Sequence, residues 1–309
     1  AFGMRNRMDE RYDFVRTVSD GRWRYVRNYM PHLPLLQNQA FAWLAKGYQD
    51  IDRLRREGQL TPLQRSLFEE RPHEELYDTQ EDPDETVNLA KRPEQAARMA
   101  EMRRALDRHM LAINDNGFIP EDSRLEGYVP SRVAGAYPLR RLMALGKVAA
   151  QGDRRKAPIL RAALADSNEV VRFWGATGFA VQGAWGEDLQ RLRRLATSDP
   201  VPQVRVAACD ALARSGASAE ACLQLAALLE PGTPDRVRLQ ALNVLTRMGP
   251  AALPALPQIA ALTTVDDEYL PNAARYLQLV LEGRYDPSKP IFDLDALRRK
   301  NSTSGSAPA

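Results

Sequence analysis

Histidine and cysteine are scarce in this chain, with three and two copies in 309 residues. That scarcity excludes several kinds of site. His32, His73 and His109 form no His-x-x-x-His spacing, and Cys209 and Cys222 form no Cys-x-x-Cys pair, so zinc is not expected. Nor do two cysteines make a disulfide framework. Cys209 falls on an apolar helix face, where a free thiol packs as a small hydrophobe. Both are read as inert thiols, with a single bridge as the alternative. No Ser or Cys in a nucleophile motif lies near His73 or His109, which are read as surface residues. Long apolar runs are lacking as well: none approaches the roughly 18 residues of a membrane span. No charged-then-apolar signal segment opens the chain. Ala1-Phe2-Gly3 already reads as the inside of a strand, so the N-terminus is expected to be a truncation. Charge of one sign is not in excess either. A net charge of +3 argues against a dedicated nucleic-acid binder.

What is present describes a soluble globular protein, 44% hydrophobic and 27% charged, long enough for two domains. Phe14 to Val18 is a β-favouring run, Asp20-Gly21 suits a tight turn, and Arg22 to Tyr29 returns. On the return strand Trp23, Tyr25, Arg27 and Tyr29 should point one way, under a helix, and Arg22, Arg24, Val26 and Asn28 the other way, into water. Residues 30 to 72 are punctuated by proline, with helices expected near Gln39 to Lys46 and Asp50 to Glu57 and another opening at Thr61-Pro62. Glu75 to Asp78 reads as a strand broken by Asp82-Pro83-Asp84. A long helix follows from about Pro93 to Ile113, with Ala96, Met99, Met102, Leu106 and Met110 along one stripe. Asn114 to Gly117 ends it.

Beyond a linker near residues 119–137, the chain repeats. Arg172, Arg205 and Arg238 are 33 residues apart, as are Gly183, Gly216 and Gly249, and Val171, Val204 and Val237. Apolar columns at helical spacing precede them, including Ile159, Leu192 and Leu225. Two helices per unit with a closing glycine make an α-solenoid similar to HEAT repeats. Asp166 and Asp199 resemble the aspartates of the HEAT Asp–Arg ladder; the third unit has Gly232 there and offers Asp235. Degenerate units are expected around Leu139 to Gly152 and Ala252 to Gly283. The end from Asn301 has no apolar anchor and is expected to be disordered. The fold class is α+β followed by all-α: a small antiparallel sheet with a packed helix in 1–118, helical repeats in 138–290 and a tail over 291–309.

The stretch Glu74 to Leu89, EELYDTQEDPDETVNL, together with Arg5 to Asp13 upstream, resembles the C-terminal subdomain of type I, formylglycine-dependent sulfatases. The nearest branch is the N-sulfoglucosamine sulfohydrolase-like one. The family's Glu-Leu-Tyr-Asp strand matches Glu75 to Asp78, its Asp-Pro-x-Glu turn matches Asp82 to Glu85, and its Asn-Leu pair matches Asn88-Leu89. The resemblance covers about the first 120 residues. It implies hydrolysis of sulfate esters or sulfamates on sugars or polysaccharides by a periplasmic or secreted enzyme. Formylglycine and calcium would be supplied by an N-terminal sulfatase domain, since the nucleophile motif Cys-x-Pro-x-Arg is absent from this chain. The chain alone is therefore expected to be inactive, with no catalytic residue and no metal of its own.

The resemblance makes Arg5, Arg7, Asp9 and Glu10 the candidate substrate-binding residues. An Arg fork suits sulfate or a sugar carboxylate, and a carboxylate suits sugar hydroxyls. Asn6 replaces the family's usual Asp. The plainer reading is an ion-paired edge strand. Asp9, Glu10 and Asp13 lack the spacing of a calcium loop. Arg22 to Arg27 interleaves basic and aromatic residues, which strand alternation explains without nucleic acid. Glu74 and Glu75 point to opposite faces and make no carboxylate pair. The arginine column reads as an internal ladder. The alternative is a stand-alone repeat module without catalytic activity, meeting a protein partner or a second copy through its solenoid.

Overall fold

The computed structural model describes residues 1–292. The stretch from Asn301, expected to be disordered, lies outside the described residues. The chain opens with strands β1 (Phe2–Met8), β2 (Arg11–Ser19) and β3 (Trp23–Asn28). Helices α1 (Lys46–Arg56) and α2 (Pro62–Ser66) precede β4 (Glu74–Asp78), and α3 (Ala96–Ala112) follows it. The four strands form one antiparallel sheet in the order β1-β2-β3-β4. A run of helices then follows among the described residues: α4 (Leu139–Ala150), α5 (Ala157–Ala163), α6 (Glu169–Gln182), α7 (Gly186–Ser198), α8 (Pro202–Arg214), α9 (Ser218–Ala227), α10 (Asp235–Met248), α11 (Leu256–Ala261) and α12 (Leu270–Leu281). The class is thus α+β followed by all-α.

The sheet forms where β-favouring residues meet turn chemistry. Gly21 takes a positive φ and Asp20 Oδ1 accepts from the backbone N–H groups of Arg22 and Trp23, closing the β2–β3 hairpin. Asp9, at φ 47°, turns β1 into β2. Thr61 and Gln64 build a capping box at α2. On α3, Met99, Met102, Leu106 and Met110 are buried, as one stripe at helical spacing requires; Ala96 is exposed. Two local expectations fail. A single helix, α1, with a short 3-10 turn before it, replaces the two helices read around 39–57, because Ala45 is extended and breaks the first. The face of β3 expected to be wet is partly covered. Val26 and Asn28 are buried there, with Arg24 held by Glu85 and Asn28 Nδ2 donating to Pro72 O.

The 33-residue register is carried by the helix pairs α5–α6, α7–α8 and α9–α10. Val171, Val204 and Val237 are buried on the second helix of each pair. Gly183, Gly216 and Gly249 follow those helices with φ of 81°, 88° and 57°, a left-handed conformation that glycine adopts without strain. The arginine column is not one continuous ladder: Arg238 pairs with Asp235 of its own unit, as the sequence offered, whereas Arg172 reaches the next unit while its Nη1 also donates to Asp166 O. Arg172 forks to Asp199, 27 residues on, at 2.8 and 3.0 Å, while Asp166 is taken by Arg141. The outer helices carry a second ladder with the same offset, Arg161 to Asp188 and Arg193 to Glu220. Position 232 is glycine, so Arg205 instead donates to Ala196 O.

The inner helices pack on the sheet. Trp174 of α6 is buried with its ring 5.5 Å from Phe14, 6.0 Å from Tyr29 and 5.4 Å from Phe118, and its Nε1 donates to Phe118 O at 2.9 Å. These aromatics belong to one apolar cluster that runs from Tyr12 to Leu277. The 119–137 stretch, read as a linker, lies along this seam. Ile119 and Tyr137 are buried, Tyr137 donates to Asp115 O at 2.5 Å, and Glu121 O accepts from Gln203.

Candidate functional site

Strand alternation and the Asp9 turn distribute the four candidate residues over two environments. Arg5 and Arg7 lie on β1, the edge strand, and both are half-buried. Arg5 Nε stands 3.7 Å from Asp13, which is buried and also receives Arg71 at 2.7 Å. Arg7 donates Nε to Glu121 at 2.7 Å and Nη1 to Asp9 O, and its guanidinium lies 4.5 Å from the Tyr269 ring. Burial works against the Arg7 charge, but the Glu121 carboxylate more than offsets it and raises its pKa. Arg236 stacks on the same Tyr269 ring at 5.0 Å. Arg7, Glu121, Tyr269 and Arg236 therefore form one cluster joining the edge strand to the helical region.

Glu10 is elsewhere. It is buried, its Oε1 accepts from Ala40 N at 2.6 Å, and its backbone carbonyl accepts from Asn243 Nδ2 at 2.8 Å. Burial pushes its carboxyl pKa up, against the pull of Arg11. Asp9 stays partly exposed at the turn. The structure brings Arg7 and Asp9 together through the Asp9 carbonyl, with Arg5 on the same strand, and sends Glu10 into the core. Asn6 receives Arg16 Nη1 on its Oδ1 at 2.7 Å, while the rest of that guanidinium forks to Asp115 at 2.6 and 2.9 Å.

The motif residues of the Glu74 to Leu89 stretch brace the sheet. Asp78 receives a fork from Arg22, and Asp82 caps the turn through Val87 N at 2.8 Å. Asn88 Oδ1 accepts from both Leu76 N and Ala90 N, tying the segment to β4. Glu74 gathers Arg103 and Tyr25, while Glu75 faces away to Asn28 and Tyr77. His73 pairs with Glu74 at 3.3 Å, and His109 stacks on Phe2 at 3.7 Å. The exposed apolar side chains of β1 are Phe2, Met4 and Met8.

Sequence reading missed the buried polar groups between sheet and helices. His32 Nε2 lies 3.3 Å from Asp210, which also takes Arg247 at 2.6 Å. Burial pushes the His32 imidazole down despite Asp210, and Arg247 and His32 hold the buried Asp210 carboxyl well below its usual range. A cavity of about 50 Å³ adjoins them. The signal available in sequence was a histidine and an aspartate on otherwise apolar elements, and no spacing rule connects residues so far apart in the chain.

Formylglycine and calcium do not fit the residues present. Cys209 and Cys222 are free and buried, Cys209 with its thiol pushed up to about 12 by burial, and neither stands in a Cys-x-Pro-x-Arg motif. Among the described residues no three His, Cys, Asp or Glu side chains group as a metal site would require. No described helix is long and apolar enough to cross a membrane.

No protein-family model matches the chain. Among curated proteins it is similar to an ulvan-active sulfatase of Formosa agariphila, 37% identical over 121 residues. That alignment takes in 38% of this chain and 20% of the relative, so the chain spans about a fifth of the length of the protein it matches. This protein therefore contains a sulfatase-related region.

Proposed function

We propose that this chain is the C-terminal portion of a sulfatase acting on sulfated sugars or polysaccharides, hydrolysing sulfate esters or sulfamates outside the cytoplasm. The observation that carries the reading is the 37% identity over 121 residues to a sulfatase. The Glu74 to Leu89 motifs, each held in place by hydrogen bonds within the sheet, support it. The nucleophile and calcium would come from an N-terminal sulfatase domain, which is the chain's first partner. Its docking face would include the exposed Phe2, Met4 and Met8 of the edge strand. Arg7 and Asp9 are the residues best placed to meet substrate there, with Arg5 beside them; Glu10 serves by fixing the turn from below.

The helical region acts in this reading as a HEAT-type brace. Its inner helices are filled by the sheet, which leaves the outer helices as the surface for a protein partner or a second copy. The purified 309-residue chain should release no sulfate from aryl or sugar sulfates, with or without calcium. The complete protein should do so, and Arg7→Ala within it should raise KM more than it lowers kcat. Calcium-dependent turnover by the isolated chain, or a complete protein inert toward sulfated sugars, would contradict the reading.

A further inference from the structure

At the edge of the sheet opposite β1, residues of β3, β4, α3 and α4 surround an open hollow of about 300 Å³. Its wall includes Arg27, His73, Glu74, Arg103, Asp107 and Lys147. One hydrogen-bonded arc joins them. Asp107 receives Lys147 Nζ on Oδ2 and Arg27 Nη1 on Oδ1, each at 2.6 Å. Arg27 Nε donates to Tyr25 OH at 2.9 Å, and that hydroxyl donates to Glu74 Oε1. Glu74 also receives Arg103 through Nε, at 2.7 Å, and Nη2, and its Oε2 lies 3.3 Å from His73 Nε2.

The arc uses its acceptors and leaves donors open. Each oxygen of the two carboxylates already holds a cation or a hydroxyl. The Arg27 side chain is only 3% exposed, yet its Nη2 makes no hydrogen bond among the described residues and keeps accessible surface, which opens into the hollow that Arg27 lines. Arg103 and Lys147 are easier to reach, with side chains 44% and 35% exposed. Arg103 keeps Nη1 free, and Lys147 has N–H groups beyond the one given to Asp107. Nor do the charges cancel. Three permanent cations, Arg27, Arg103 and Lys147, meet two carboxylates, Glu74 and Asp107, which leaves one positive charge in excess.

A ligand for this set brings acceptors and negative charge. Three open donor groups on three elements suit a tetrahedral group with three terminal oxygens. A phosphate offers three strong acceptor oxygens and about −1.5 to −2 charge at pH 7. A sulfate monoester has the same shape with a single charge, so the excess cation favours it less. The hollow is at the small end for ligand pockets and leaves room beyond a phosphate for a small organic group.

We propose that this hollow binds a phosphate group, free or as a small monoester, through Arg27 Nη2, Arg103 Nη1 and Lys147 Nζ. Bound there, the phosphate ties β3 to α3 and α4. The inference does not rest on the proposed hydrolysis, since it uses the sheet edge opposite Arg7, and no bond is made or broken in it.

The test is calorimetric titration of the whole 309-residue chain in about 0.15 M sodium chloride, which screens loose surface association. The ligands are sodium phosphate, glycerol 1-phosphate and methyl sulfate. At least one of the two phosphates should saturate a single site with a Kd of ~1 mM or below, and methyl sulfate should bind at least about tenfold more weakly. Tighter binding of inorganic phosphate identifies the free ion as the ligand, and tighter binding of glycerol 1-phosphate identifies the monoester. Lys147→Met and Arg103→Met, both at partly exposed helix positions, should each weaken binding at least about tenfold, while Lys147→Arg should retain it. The proposal fails if neither phosphate binds the folded wild-type chain, or if methyl sulfate binds as tightly as the phosphates. It also fails if either methionine variant, folded by circular dichroism, binds as the wild type does.

Discussion

The outer and inner helices of the repeats are built from the same 33-residue unit, yet they live in different surroundings. On the outer helix α7 only Asp188, Leu192 and Ala196 are buried, a narrow stripe facing its neighbours. On the inner helix α6 almost every residue is buried, from Glu169 to Gln182. A helix apolar on one stripe has one partner layer; a helix buried all round has two. The second layer here is the sheet, with Phe14 and Tyr29 against Trp174. The difference teaches that the inner surface of the array, which in an open solenoid would be free for a partner, is occupied by the chain's own N-terminal region.

The largest expected effect comes from cutting that seam. Trp174→Ala removes a fully buried ring and its hydrogen bond to Phe118 O, and should cost about 3–5 kcal/mol in urea unfolding. If sheet and repeats form one cooperative body, the variant should lower a single transition seen equally by tyrosine fluorescence and helical circular dichroism. Two separated transitions would break the comparison. Val204→Ala sharpens it from inside the array: Val204 is buried in α8, away from the aromatic seam, and its truncation should cost about 1–3 kcal/mol in the same single transition.

A smaller effect should appear with pH. Burial lowers the His32 pKa, so the unfolded chain binds that proton more readily than the folded one. Stability from this group is therefore complete above the unfolded value of about 6.5 and falls as pH drops through it toward the folded value. Asp210, also held low, adds loss in the same direction only below about pH 4, where unfolded carboxylates take up protons. Urea midpoints should decline between about pH 7 and pH 5, and His32→Gln should flatten that decline. An unchanged slope in the variant would remove His32 as its source.

Much of the architecture is legible in the sequence. The valine and glycine columns announced the inner helices and the glycines that close them, because helical spacing and a fixed repeat leave few alternatives. Asp20-Gly21 announced the hairpin for the same kind of local reason. What stayed hidden was long-range. The Arg172 ladder crosses to Asp199 of the next unit, which the spacing of Asp166 to Arg172 does not reveal. The Phe14 and Trp174 contact joins residues whose separation carries no sequence period. Of the candidate site, Arg5, Arg7 and Asp9 remained together on the edge strand and turn, whereas Glu10 turned into the core because its neighbour Asp9 adopts a positive φ and reverses the chain. Arg11, at the end of the same motif, was passed over. It is buried, with Nε donating to Asn38 O and its guanidinium 5.4 Å from the Tyr276 ring, contacts that only three-dimensional packing discloses.

The most direct test of the shared core is native-state hydrogen exchange on the intact 309-residue chain. Amides of β2, α6, α8 and α10 should open with nearly the same free energy, because they share one buried cluster, while the edge strand β1 exchanges faster. Slow exchange in α8 alongside rapid exchange across β2 would contradict the account, by showing that the sheet only rests against the repeats.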